Sequence, residues 1–178
     1  DILWERLCEQ QRDFAETCRD KGLKYSLTMA GEADKESGMG RSWQSTFSVE
    51  SREAAEVRMT DLGYTWEWLE NGDLRATTPT LPAVRDLGDG RCSFFNQLIA
   101  AFKGWKDTRN DPSKAITFGD GTSLDPADVE KASVLADEVT FDIPWQPGDL
   151  ALVDNYTAMH GRRTFTGPRK ILASLVAA

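Results

Sequence analysis

The chain has a single histidine, three cysteines and no long hydrophobic run. One histidine forbids any site built from several histidines within these 178 residues. Cys8, Cys18 and Cys92 are too few and too widely spaced for a zinc site of the CxxC type. An odd count with no visible leader favours reduced thiols in a cytosol-like compartment, with Cys8 and Cys18 as buried or half-buried structural residues. The longest apolar-leaning stretch, Ile171 to Ala178, is far short of the roughly 18 residues that a membrane helix needs. The opening residues, Asp1 to Arg6, lack the basic and apolar regions of a signal peptide. They also lack an initiating Met, so a processed, trimmed or fragmentary N-terminus is expected. Positive charge is scarce as well. Twenty-one Lys and Arg against 29 Asp and Glu leave a net charge of −8, a poor basis for binding phosphate backbones. Motif chemistry is equally sparse: there is no Walker loop, no GxSxG elbow and no GxGxxG beside a strand.

What is present reads as one α+β domain over residues 1–178, β-rich towards its C-terminus. Leu3, Leu7, Phe14 and Cys18 recur near helical period, predicting an amphipathic helix over 3–20 with Gly22 as its cap. Leu23, Tyr25, Leu27 and Met29 alternate, the pattern of a half-buried strand. Residues 30–42 are polar and Gly-rich and read as a loop that could act as a lid. Ser48 or Ser51 caps a predicted helix over 51–62, with Ala54, Val57 and Met59 facing inward and Gly63 ending it. Asn71-Gly72 between two strand-like runs, 64–69 and 74–78, signals a hairpin. Ser93 to Ala101 reads as a strand entering a short helix, and 103–123 as surface loop. Asp125-Pro126 opens a helix to about 138. Residues 139–143, 150–153 and 171–176 are three further strand candidates.

His160 stands just beyond one of those candidates, in Tyr156-Thr157-Ala158-Met159-His160-Gly161-Arg162-Arg163. Taken alone, a lone histidine is most simply a hydrogen-bonded structural or surface residue. Arg169 and Lys170 follow at nine and ten residues. A dicarboxylate needs a fixed cation, and Arg offers a bidentate fork; spacing alone favours an exposed strand edge instead. The tryptophans Trp43, Trp66, Trp68, Trp105 and Trp145 read as core or pocket wall.

The segment from Pro144 to Ser174 carries W-Q-P-G-D-L-A-L-V-D-N at 145–155, then Met159-His160-Gly161-Arg162, a short loop and the Arg169-Lys170 pair. It resembles the C-terminal signature of the taurine dioxygenase-like (TauD/TfdA) superfamily. Residues 40–47, 64–69, 82–85 and 94–97 resemble that superfamily's clavaminate synthase-like and SyrP-like branch. The resemblance implies a double-stranded β-helix (jelly roll), here partial, with flanking helices. It implies Fe(II) held by two histidines and a carboxylate, with 2-oxoglutarate and O2 as cosubstrates and hydroxylation of a small molecule as the usual outcome. By the same resemblance His160 is the distal metal ligand, and Arg169 or Lys170 is the cation for 2-oxoglutarate. Asn96 is a cofactor-binding polar residue of the pocket, while Asp154 and Asn155 order the strand end before the metal site. The family's other two ligands lie in an H-x-D/E motif, and no such motif exists here. The expectation is therefore the C-terminal part of a longer enzyme, inactive alone and prone to associate through exposed edges. Two alternatives stand beside it: a degenerate, non-catalytic jelly-roll module that binds a small molecule, and a generic acidic interaction domain. A cytoplasmic protein with a small-molecule substrate and neither nucleic-acid nor membrane partners is expected; oligomeric state and substrate identity stay open.

Overall fold

The computed structural model describes residues 1–33, 41–105, 108–164, 166–168, 170 and 172–175, without the side chains of residues 112 and 113. Two helices, α1 (Ile2–Gln10) and α2 (Arg12–Lys21), replace the single helix expected over 3–20. The break is Gln11, whose backbone leaves the helical region at φ −143° and ψ 51°. Its side-chain amide donates to the Asp128 carbonyl at 3.1 Å. The apolar residues on both sides of the break still reach one core. Leu7, Phe14, Ala15 and Cys18 are all buried, so the periodicity is real although the helix is not continuous.

Strand β1 (Leu23–Met29) is the centre of the fold. Alternation along it sends Leu23, Tyr25, Leu27 and Met29 to one face. It pairs antiparallel with β3 (Leu74–Thr77) on one side and with β6 (Ile116–Phe118) on the other. Strand β2 (Thr65–Trp68) then pairs with β3, giving the order β2-β3-β1-β6. Cross-strand partners match in character: Met29 lies opposite Leu74, Leu27 opposite Ala76, Tyr25 opposite Ile116 and Leu23 opposite Phe118. The other face is polar, with the Thr77 and Ser26 hydroxyls bonded at 3.0 Å.

Helices pack over the apolar face in two groups. One core joins Leu7, Phe14, Leu23, Tyr25, Ile116 and Phe118 to Leu98 and Ala101 of α5 (Leu98–Gly104) and to Val129 and Leu135 of α7 (Pro126–Glu138). The second joins Met29, Leu74 and Ala76 to Trp43 of α3 (Trp43–Phe47) and to Ala55 and Met59 of α4 (Arg52–Asp61). Each fully buried Leu contributes about 1.5–3 kcal/mol relative to exposure. Helix starts follow their caps: Ser42, Ser51 and Asp125 each accept a backbone N–H of the first turn.

Several expectations are corrected. Val57 and Ala54 face solvent, and it is Ala55 that packs inward beside Met59. The stretch 103–123 holds a short helix, α6 (Pro112–Ala115), and β6, where surface loop was expected. Ile116 and Phe118 take that place by closing the sheet beside β1. In the opposite sense, residues 139–143 and 150–153 form no strand, and neither does the described part of 171–176. The apolar alternation is there, but no neighbouring strand accepts it among the described residues. Leu150, Leu152 and Leu172 are accordingly 97%, 92% and 84% exposed. The α+β class stands; the described sheets are the four-stranded one and the separate hairpin β4 (Arg85–Gly88) and β5 (Arg91–Ser93). Much of the expected lid, residues 34–40, lies outside the described residues.

Burial pushes the Cys18 thiol up to about 12, with Asp128 adding to the effect. Burial likewise raises the Tyr25 phenol to about 12, against a lowering hydrogen bond from the Gln97 backbone. Both groups are neutral when protonated and hold that proton more tightly folded than unfolded. Their contribution to stability is therefore complete below about pH 9 and is lost as the pH rises towards 12. Thermal midpoints are expected to fall progressively between those values. Cys18→Ala should flatten part of the decline, and a midpoint independent of pH over that window would contradict it.

Candidate functional site

The hairpin β4–β5 carries the features that organise the signature segment. Its turn, Gly88-Asp89-Gly90, has positive φ at all three residues, at 84°, 54° and 75°. Two glycines make such a turn accessible, and Asp tolerates the left-handed region better than most residues. The Asp86 carboxylate accepts the Gly88 N–H at 2.8 Å and fixes the entry to the turn. Arg85 and Ser93, opposite each other in the ladder, stand at the far end of this hairpin.

Tyr156 docks there. The buried Ser93 hydroxyl donates to the Tyr156 carbonyl at 2.7 Å. The Arg85 guanidinium carbon lies 3.7 Å from the centre of the Tyr156 ring and 5.9 Å from that of Phe95. The Phe95 and Tyr156 rings meet edge to face, 5.4 Å apart at 62°. Cation–π attraction and an aromatic edge contact thus grip one tyrosine from two sides.

The chain around Tyr156 is a tight turn built on Asp154. Its carboxylate accepts the Tyr156 N–H at 2.9 Å, and its carbonyl accepts the Thr157 and Ala158 N–H groups at 3.1 and 2.9 Å. Asp154 is thus structural, but at a turn, where the end of a strand was expected. His160 comes two residues beyond the turn, with its imidazole exposed. Beyond it, Arg163 reaches back to Asp142 at 3.0 Å, and that hydrogen bond and charge hold its guanidinium above its ordinary value.

Of the other expected site residues, Lys170 is exposed and Arg169 lies outside the described residues. Asn96 is placed differently from a free pocket group. Its amide nitrogen donates to the Ala83 carbonyl at 2.9 Å, and its oxygen accepts the Leu98 N–H at 2.9 Å. Both ends of the side chain are thereby engaged at the start of α5. The next residue, Gln97, donates its N–H to the Tyr25 hydroxyl at 3.1 Å. Asn96 and Tyr156 are tied to adjacent parts of one stretch, 93–98, while no described contact joins Asn96 to His160.

The donor set fits one corner of a metal site and no more. His160 offers an imidazole, the sequence has no second histidine, and no group of three His, Cys, Asp or Glu is arranged for a metal among the described residues. Three cysteines are unpaired, as anticipated, with Cys18 buried and Cys8 and Cys92 half-buried.

Two other features lie apart from this turn. A shallow depression of about 390 Å³ is lined by Glu53, Glu56, Val57, Thr60, Asp61 and Trp66. It shares no residue with the His160 segment, and its three carboxylates suit neither a dicarboxylate nor its oxidised product. Nearby, Trp43 and Trp68 meet edge to face at 5.1 Å, Arg52 lies 4.6 Å over Trp68, and Trp68 donates its indole N–H to Glu56 at 2.7 Å. These tryptophans are core and wall, as expected, whereas Trp145 is 56% exposed.

The Arg85–Tyr156–Phe95 grip escaped sequence reasoning. Its one advance sign was Tyr156 itself, an aromatic placed two residues after a turn-forming Asp and four before the only histidine.

Residues 94–175 match the model of the taurine catabolism dioxygenase TauD, TfdA family. A clavaminate synthase-like protein of Arabidopsis thaliana is 39% identical over 176 residues, covering 98% of this chain and 53% of the relative. The dapdiamide synthesis protein DdaC of Enterobacter agglomerans is 26% identical over 175 residues, covering 89% of this chain and 50% of the relative. The chain spans about half the length of these curated relatives.

Proposed function

Because the chain belongs to the taurine dioxygenase-like (TauD/TfdA) superfamily, on its clavaminate synthase-like side, we propose that it forms part of an Fe(II)- and 2-oxoglutarate-dependent dioxygenase acting on a small molecule. The carrying observation is that the family match, 94–175, contains the anchored Asp154 turn, His160 and the Arg169-Lys170 pair in the family's order. In this reading the complete domain is a jelly roll, of which residues 1–178 supply the C-terminal part. When bound, iron supplies O2 activation coupled to the oxidative decarboxylation of 2-oxoglutarate to succinate and CO2. His160 would offer one imidazole to that iron, and the remaining ligands would come from outside this chain. Arg169 or Lys170 holds the distal carboxylate of 2-oxoglutarate, the first as a fork and the second as a point charge. Asn96, whose side chain is engaged at the start of α5, is read as a polar residue of the cofactor pocket. Three unpaired cysteines accord with a reducing, cytoplasm-like location. No described helix is long and apolar enough to cross a membrane.

One observation favours a second reading, the non-catalytic binding module: a chain with a single histidine holds one ligand of the triad. The two separate on the intact gene product, supplied with Fe(II), ascorbate and 2-oxoglutarate and screened against small amines and carboxylates. Succinate release that rises with one of them and stops on chelation is the expected result. Retained 2-oxoglutarate binding by calorimetry, without succinate from any mixture, would establish the binding module instead.

A further inference from the structure

The grip on Tyr156 has a function of its own in this setting, and it rests on the reading of His160 as a metal ligand. We propose that Arg85, Phe95 and Tyr156 are positioning residues for His160, setting where the imidazole stands when it meets the metal.

Three observations carry this. First, the described contacts that tie the signature segment to packed parts of the protein meet at Tyr156; the other tie, Arg163 to Asp142 at 3.0 Å, joins two exposed side chains. The contacts at Tyr156 are the Ser93 hydroxyl on its carbonyl at 2.7 Å, Arg85 on its ring at 3.7 Å and Phe95 at its edge at 5.4 Å. Second, Tyr156 is joined rigidly to the residues after it, since the Asp154 carboxylate and carbonyl close the turn over residues 154–158. Third, the rest of the segment offers little restraint. Leu150 and Leu152 are almost wholly exposed, and His160 is exposed as well. A ligand on such a segment gains its orientation from its nearest anchor to packed structure, and that anchor is the tyrosine four residues before it, since the Arg163–Asp142 pair is solvent-exposed on both sides and restrains little. The partners that orient a metal ligand govern affinity almost as strongly as the ligand's own chemistry.

The three contacts divide the work. Ser93 grips the backbone of Tyr156 and so is indifferent to the side chain. Arg85 and Phe95 grip the ring, and no described hydrogen bond uses the phenol. Loss of the hydroxyl should therefore be harmless and loss of the ring should not.

The test uses the intact protein, with Co(II) alone as the metal probe and the His160 ring carbon–proton signal as a second readout. That signal is identified by its disappearance in His160→Ala. Tyr156→Ala and Arg85→Met are expected to weaken Co(II) binding about 10–100-fold and to narrow the His160 signal towards that of a mobile side chain. Tyr156→Phe and Arg85→Lys should restore both readouts. Wild-type affinity and an unchanged ring signal in Tyr156→Ala and Arg85→Met would overturn the proposal, as would conservative variants as weak as the severe ones. Should Tyr156→Ala lower the thermal midpoint, Arg85→Met alone is read. If wild type and His160→Ala bind Co(II) alike, the metal reading of His160 fails, and the ring signal decides the grip: narrowed upholds it, unchanged rejects it.

Discussion

Alanine in place of His160, in the intact gene product, is expected to lower Fe(II)-dependent succinate release at least about 100-fold, through lost metal affinity rather than lost folding. The reasoning is local. His160 is exposed and makes no described contact that supports the core, so its removal leaves both hydrophobic clusters untouched. The thermal midpoint of the metal-free protein should therefore stay where it is. A metal site that depends on three protein ligands cannot keep its geometry with two. The companion variants separate the two cations. Whichever of Arg169→Met and Lys170→Met raises the half-saturating 2-oxoglutarate concentration identifies the carboxylate partner. A charge-assisted contact is worth about 1.5–3 kcal/mol, or about 10–150-fold. Full activity in His160→Ala would remove the basis for the proposed enzyme.

Gly22→Ala is expected to be strongly destabilising, lowering stability by about 3 kcal/mol or more. Gly22 ends α2 with φ 63° and ψ −168°, a region essentially closed to residues with a Cβ. A methyl group there would also sit 2.6 Å from the Leu81 carbonyl oxygen. That carbonyl is not free to move, because it accepts the Leu23 N–H at 2.8 Å. Gly119 faces the same crowded junction: its N–H donates to the Gly22 carbonyl at 3.0 Å, and a Cβ would collide with the Lys21 carbonyl oxygen and the Thr80 methyl. Three backbone segments cross at this point, so Gly119→Ala should behave alike. For a domain of this size the midpoint should drop by about 6–12 °C. Gly104→Ala is the control. Nothing lies within 4 Å of its would-be Cβ, at the end of a helix, and it should be neutral or slightly stabilising. Calorimetry that ranks Gly104→Ala with the other two would refute the packing argument.

Much of the first half of the fold was legible because its signals are local. Gly22 capped a helix, odd-numbered apolar residues marked β1, Ser51 started α4, Asn71-Gly72 turned a hairpin and Asp125-Pro126 opened α7. Misreadings came where position depends on distant partners. Ile116 to Phe118 is only three residues of strand, flanked by turn-formers, and it becomes a strand because β1 lies beside it. The stretch 150–153 shows the reverse: its alternation is clear, yet no partner among the described residues makes it a strand. Gln11 looked like one more position on a polar helix face, and its break reflects a contact 117 residues away. The site divides in the same way. His160, Arg169 and Lys170 could be proposed because their types and order resemble the family's signature. Arg85 and Phe95 could not be tied to Tyr156, since the contact spans three helices, a strand and about 60–70 residues of chain.

The place of β1 at the middle of the sheet also sets a timetable. Its Tyr25 pairs with Ile116, so the strand made first waits for a neighbour about 90 residues later in synthesis. At 5–20 residues per second that interval is on the order of 5–20 s. For most of it Leu23 and Tyr25 can reach only the stretch after β3, where Leu81 and Thr78 bond to them, and α5 and α7 are still to be made. A nascent chain of this design therefore carries uncovered apolar strand surface for most of that interval.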